Sequence, residues 1–360
     1  MKRMILLCIA CSYVSLMQHT TACTGITLHT SSHSPVPART IEWAGNDLES
    51  CYTIVPRGYR QCAMVPDGAK QGKCFTAKYG YIGLAVERAE FVVEGLNEAG
   101  LSAGLFYFPA YGQYETYKPS NRANTLSDLQ LVSWVLSSFK TIEEIKQAIK
   151  HVHIVSVDPR GSTVHWRFTE ESGRQVILEI TQQEVHFYEN PLGVFTNSPG
   201  FEWHLTNLNN YVNLQAGAVQ ARSIGTLHLK AFGGGSGMLG IPGDMTPPSR
   251  FVRAAFFQAT APQKQTGEET VLQAFHILNN FDIPVGIQFA DKDSIPDIPS
   301  ATQWTVATDI GNRRIYYRTM HDISIRCFDL KAIDFNTVSY QSAPLDPTKK
   351  QPIVMMLPQL

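Results

Sequence analysis

The stretch Thr20-Thr21-Ala22-Cys23-Thr24-Gly25 constrains this chain more than any other. Ahead of it, Lys2 and Arg3 precede a mostly apolar run from Met4 to Leu16, and Gln18-His19-Thr20-Thr21 leads to small residues around Ala22. That is the layout of a secretory leader over residues 1–22. Its apolar run is shorter than the roughly 20 residues a membrane span needs. A cut between Ala22 and Cys23 would leave a chain whose first residue carries a thiol and a free α-amine. Whatever fold follows must then present both groups of Cys23 together. The leader also implies export, to a periplasm or to the outside.

Composition narrows the partners. The precursor has 360 residues, with 30 lysines and arginines against 31 acidic residues and no basic run. Nucleic acid and anionic membrane surfaces are therefore poor partners. Hydrophobic residues make up 44% of the chain, as in a globular protein. No later stretch is apolar and long enough for stable membrane insertion. No linker breaks residues 23–360, which read as one domain.

The seven cysteines divide: Cys8 and Cys11 belong to the leader. If Cys23 stays free, Cys51, Cys62, Cys74 and Cys327 remain. They are an even set compatible with disulfides in an oxidising compartment or with four buried thiols, the pairing open. After the leader no Cys-x-x-Cys occurs, and His151-Val152-His153 has no cysteine or carboxylate nearby to complete a metal site. Phe232-Gly233-Gly234-Gly235-Ser236-Gly237 lacks the Gly-Lys-Ser/Thr of a phosphate-binding loop and reads as a flexible loop. No Gly-x-Ser-x-Gly elbow is present. No metal and no organic cofactor is expected.

The hydrophobic pattern gives strands at both ends and helices between. Cys23–Thr30 and Ala38–Trp43 flank the turn-forming Ser31–Pro37, predicting an N-terminal hairpin that sets Cys23 beside Arg39. Further strands are expected at Tyr52–Pro56, Tyr79–Val86, Val92–Leu96 and Leu101–Phe108. Ser127–Ser138 has one apolar helical face, and Thr141-Ile142-Glu143-Glu144 is a capping-box pattern opening a second helix. A meander follows at Val164–Thr169, Val176–Ile180 and Glu184–Tyr188. Helices are expected at Phe201–Leu214, Arg250–Ala259 and Glu268–Asn280, a hairpin around Gly311-Asn312, and a last strand at Ile323–Leu330. Runs of strands separated by runs of helices favour α+β over a doubly wound parallel sheet.

The chemistry centres on Cys23. A thiolate is the attacking form, and an ordinary cysteine titrates near about 8.5. An N-terminal amine titrates at about 7.7–8.0, so part of it is free base near neutral pH and can take the thiol proton. A cation beside the sulfur would favour the thiolate, and Arg39 on the facing strand is placed to supply it. Two other readings of Cys23 stand beside this one: a disulfide partner, or a lipid-anchor site, although Thr20 stands where such a site usually has leucine. Asn197 ahead of Ser198-Pro199 also reads as a turn residue, and Arg250 as a surface arginine at a helix start.

Five segments occur in order: the leader followed by Cys23, Ala38-Arg39-Thr40-Ile41-Glu42-Trp43, Asn97-Glu98-Ala99-Gly100-Leu101, Thr196-Asn197-Ser198-Pro199 and Ser249-Arg250-Phe251-Val252-Arg253. Together they resemble the choloylglycine hydrolase family, the bile salt hydrolases and penicillin V acylases, over nearly all of Cys23–Leu330. These are N-terminal nucleophile (Ntn) hydrolases that cleave linear amides. The resemblance implies a four-layer αββα sandwich of two antiparallel sheets. It implies Cys23 as nucleophile, Arg39 beside the sulfur, Asn197 in the oxyanion hole and Arg250 in the surrounding network. Glu42 falls where the family commonly has aspartate, contacting the α-amine. Tyr107 falls at the second oxyanion position, where bile salt hydrolases often have asparagine and penicillin V acylases tyrosine. The implied substrates are small N-acyl amides: glycine- or taurine-conjugated bile salts first, penicillin V second, other N-acyl amines third. Phe106, Phe108 and Tyr111 are candidates for an apolar acyl pocket. A homotetramer is the implied assembly. The alternative of another class is a lipid-anchored, non-catalytic binding protein.

Overall fold

Several strands break the in–out alternation of a one-faced sheet. Thr302–Asp309, Tyr81–Ala85, Val92–Asn97 and Val164–Thr169 are buried at every position. Strands covered on both faces belong inside a stack of layers. The computed structural model, which describes residues 21–158 and 162–358, shows that stack. All but the last two residues of the expected leader lie outside the described residues.

One sheet has five strands in the order Thr21–His29, Pro35–Trp43, Thr302–Asp309, Arg314–Thr319 and Arg326–Asp329, antiparallel throughout. The other has eight, also antiparallel, running Glu184–Glu189, Gln175–Thr181, Val164–Thr169, Ser102–Tyr107, Val92–Asn97, Tyr81–Ala85, Cys51–Val55 and Gln341–Pro344. Helices Pro247–Thr260 and Gly267–Leu278 cover the outer face of the first sheet. Helix Leu131–Ser138 covers the second, with Leu136 lying over Gly95, where a Cβ would meet it at 2.6 Å. The fold is the expected α+β αββα sandwich, and its apolar core runs continuously through the layers.

The expected hairpin pairs nine residues on each side, with Cys23 opposite Ile41 and Gly25 opposite Arg39. The Thr141 capping box is present: the Glu144 N–H donates to Thr141 Oγ1 and the Thr141 N–H to Glu144 Oε2, both at 3.3 Å. Other expectations need correction. Ser127–Ser138 is helical only from Asp128, first as a 3-10 turn and then as the α-helix from Leu131. The helix expected over Phe201–Leu214 stops at Asn207 and continues as one 3-10 turn. Asn209 Nδ2 donates to Thr206 O at 2.9 Å, and such side-chain bonds compete with the helix. The Gly311-Asn312 turn is part of a four-residue connection whose left-handed residue is Arg313. The last strand shortens to Arg326–Asp329. The edge strand Gln341–Pro344, polar and without alternation, was not anticipated. Cys62 and Cys74 form a disulfide, while Cys51 and Cys327 are free.

Candidate active site

Alternation turns Cys23, Gly25, Arg39 and Ile41 of the hairpin toward the eight-stranded sheet. Gly25 suits this face because a Cβ there would lie 3.0 Å from the Phe106 ring. Arg39, fully buried, donates from Nη2 to Cys23 Sγ at 2.7 Å. Its guanidinium is fixed by backbone carbonyls: Nε to Thr40 O at 3.2 Å, Nη1 to Val93 O at 3.3 Å and Nη1 to Leu105 O.

Those last two carbonyls reveal how the site opens. Strands Val92–Asn97 and Ser102–Tyr107 pair only from Leu96↔Ser102 to Glu94↔Gly104. Beyond Gly104 they part, and the Arg39 guanidinium sits in the fork. A cavity of about 150 Å³ fills the opening above Cys23 and Arg39. Leu48, Val86, Phe91, Val93, Leu105, Tyr107, Asp128 and Leu129 are among the residues that line it. It is an apolar cleft with the thiol at its floor, the general form of a small-molecule site.

The backbone of Cys23 is held from two directions. Its N–H donates to Asn197 Oδ1 at 2.7 Å. Arg250, buried at the start of helix Pro247–Thr260, donates from Nη1 to Cys23 O at 2.5 Å and to Thr24 Oγ1 at 2.7 Å. Its Nη2 donates to the same Asn197 Oδ1 at 2.8 Å. Asn197 Nδ2 donates to Tyr107 O at 2.8 Å. Two buried histidines steady the Asn197 loop. His165 Nε2 donates to Thr196 O at 3.1 Å, with Nδ1 3.0 Å from Glu179 Oε1. His204 Nε2 donates to Asn197 O at 2.8 Å, and burial lowers this ring to about 4, so it stays neutral.

Burial pushes the Cys23 thiol above its ordinary value, and the Arg39 cation pulls it back down. Burial likewise pushes the Glu42 carboxyl up to about 8, against Arg250 and a hydrogen bond with Thr40.

Residues 23–342 match the family of linear amide C–N hydrolases called the choloylglycine hydrolase family. This chain belongs to that family. A bile salt hydrolase/transferase from Clostridium perfringens is 30% identical over 316 residues, 86% of this chain and 92% of that protein. One from Bifidobacterium longum subsp. longum is 27% identical over 320 residues, 88% and 97% of the two chains. A variant conjugated bile acid hydrolase from Clostridium perfringens, known as a crystal structure, has a TM-score of 0.78 at 27% identity, over 93% of this chain and 100% of that one. A penicillin V acylase from Agrobacterium tumefaciens shares the fold at 21% identity, with a TM-score of 0.73 over 91% and 94%.

Within this family member, Cys23, Arg39, Asn197 and Arg250 interlock directly. Glu42 is adjacent but faces away from the sulfur. It pairs with Ala22, and alternation turns its side chain to the helix-covered face with Thr40. Its Oε1 accepts from Thr302 Oγ1 at 3.4 Å, and Oε2 has no hydrogen-bond partner among the described residues. Tyr107 lines the cleft and offers its carbonyl to Asn197.

The aromatic pocket expectation needs correction, since Phe106, Phe108 and Tyr111 do not line this cleft. The Phe106 ring lies between the sheets, 3.9 Å from the Arg39 guanidinium carbon and 4.7 Å from Phe195. Phe108 stacks on His165 at 4.2 Å, and Tyr111 is half exposed. The phase of the strand puts Leu105 and Tyr107, not Phe106, at the opening. Sequence reasoning also missed Glu94, Asp128, His165, Arg167 and His204. The one visible signal was a charge or histidine inside an apolar strand, as in Val92-Val93-Glu94-Gly95 and Val164-His165-Trp166-Arg167.

Proposed function

We propose that this chain is an exported N-terminal-cysteine amidohydrolase. Removal of residues 1–22 creates its base, and glycine- or taurine-conjugated bile salts are its first substrates. The observation that carries the reading is the contact set of Cys23: sulfur on Arg39, backbone N–H on Asn197, carbonyl on Arg250, all at the floor of an apolar cleft.

The amide carbonyl sits over the sulfur with its acyl part among the apolar side chains. The Cys23 α-amine accepts the thiol proton as the sulfur attacks, with Arg39 stabilising the sulfur's charge. The Asn197 amide and the Tyr107 backbone N–H take the developing oxyanion, a contribution of about 10²–10³ in rate per donor. The α-ammonium then returns the proton to the leaving amine, giving an acyl-thioester. Water attacks the thioester through the same base, the acid leaves, and the thiol reforms. Every proton passes through the amine freed with Cys23, so export and activation are one event.

Penicillin V is the second substrate reading, favoured by the tyrosine at position 107 and by the shared fold with a penicillin V acylase. The lipid-anchored alternative fits poorly with a Cys23 that is only 3% exposed and whose sulfur accepts a hydrogen bond from a buried arginine. Parallel rates on glycocholate and penicillin V, with the N-terminal mass confirmed to begin at an unmodified Cys23, test the reading. Glycocholate hydrolysis that Cys23→Ser abolishes supports it. A diacylglyceryl mass or undiminished turnover in Cys23→Ser overturns it.

A further inference from the structure

Two charges between the sheets take no part in that chemistry. Glu94 and Arg167 stand on strands flanking Gly104, each paired with it. They are 1% and 0% exposed. Arg167 Nη2 donates to Glu94 Oε1 at 2.7 Å. Glu94 Oε2 lies 3.8 Å from Arg39 Nη1, and Arg39 Nη2 holds Cys23 Sγ at 2.7 Å. The four groups form one line ending at the sulfur.

Glycines make room for it. A Cβ on Gly104 would lie 2.4 Å from Glu94 Oε2, and one on Gly25 would lie 3.3 Å from Arg167 Nη1. The Phe106 ring separates the two arginines, 3.9 Å from Arg39 and 5.5 Å from Arg167.

A network serving stability alone would satisfy its polar atoms, because each unpaired buried one is costly. Here Arg167 Nε and Nη1 and Glu94 Oε2 have no hydrogen-bond partner among the described residues. The line also holds two positive charges against one negative. Its excess of one positive charge is cancelled when the sulfur is a thiolate, and in a buried, low-dielectric setting that balance is felt strongly.

We propose that Arg167 and Glu94 are positioning residues for the nucleophile: acting through Arg39, they set the charge that the Cys23 sulfur feels and so how much of it is thiolate. This rests on the reading of Cys23 as the nucleophile, but its test reads the sulfur itself and not turnover. The other charged groups around Cys23 are Glu42 on the neighbouring strand, Arg250 from the helix, Glu87, Asp128 and Asp158 in the cleft lining, and the freed α-amine. All are left unchanged by the variants below.

The experiment is the pH dependence of Cys23 alkylation by iodoacetamide in the processed protein, read on the N-terminal peptide so that Cys51 and Cys327 do not contribute. Arg167→Met removes a positive charge, and its alkylation midpoint should rise by about one pH unit. Glu94→Gln removes the negative charge, and its midpoint should fall by a similar amount. The double variant keeps the net charge and should return close to the parent, as should Arg167→Lys. If Arg167→Met does not fold, Glu94→Gln against the double variant carries the same test of sign. Midpoints that stay put, or that move the same way in both single variants, overturn the proposal. Loss of Cys23 as nucleophile would show separately, as hydrolysis surviving Cys23→Ser.

Discussion

The two faces of the first hairpin divide the work. Cys23, Gly25, Arg39 and Ile41 point into the gap between the sheets, where Arg39 meets the sulfur in the fork of the second sheet. Thr24, Thr40 and Glu42 point toward the helices, where Arg250 grips the Cys23 carbonyl and the Thr24 hydroxyl. One face holds the cation that meets the sulfur, and the other holds the backbone of Cys23. Strand alternation makes this separation available at no cost, because neighbouring residues on a strand serve opposite layers.

If that division holds, variants on the two faces fail differently. The largest effect belongs to Arg39→Met. It removes the cation 2.7 Å from Sγ, so the alkylation midpoint of Cys23 should rise by about 1–3 units and neutral-pH turnover fall steeply. A midpoint that does not move would break the comparison. Arg250→Gln comes next. It loses the grip on the backbone, so kcat should fall about 10–10²-fold, while the alkylation midpoint moves by less than in Arg39→Met. A shift as large as that of Arg39→Met would erase the distinction between the faces.

Glu42→Gln is the smallest and is read in stability, in a form still carrying Ala22. Burial raises the Glu42 carboxyl from an ordinary 4.5 to about 8. The folded state therefore holds a proton that the unfolded chain releases. The stability this gives is complete below about 4.5 and is lost as pH rises toward 8. Glutamine does not titrate, so the melting temperature of Glu42→Gln relative to the parent should climb between pH 5 and 8. Parallel melting curves across that window would place the carboxyl in a better-solvated setting than the structure gives it.

How much of this was legible in the sequence follows from distance along the chain. The Cys23–Arg39 contact spans one hairpin, and a period of two with a turn between was enough to predict it. Asn197 and Arg250 reach the same site from far along the chain, and only the family resemblance located them. Phe106 was misplaced because its strand is apolar on both faces, so no polar alternation revealed its phase. Glu94 and Arg167 meet across a third strand at Gly104, and an isolated charge in an apolar strand does not name its partner. The helix cut short at Asn207 and the edge strand Gln341–Pro344 turn on side-chain competition and backbone pairing, which apolar periodicity does not record.

The most direct test of the central claim is the intact mass of the processed protein quenched during glycocholate turnover. The expected result is a chain beginning at Cys23, part of which carries a cholyl group that maps to the Cys23 sulfur and disappears on further incubation. A chain that retains Ala22 yet turns over substrate, or turnover with the acyl group mapped to any other residue, would contradict it.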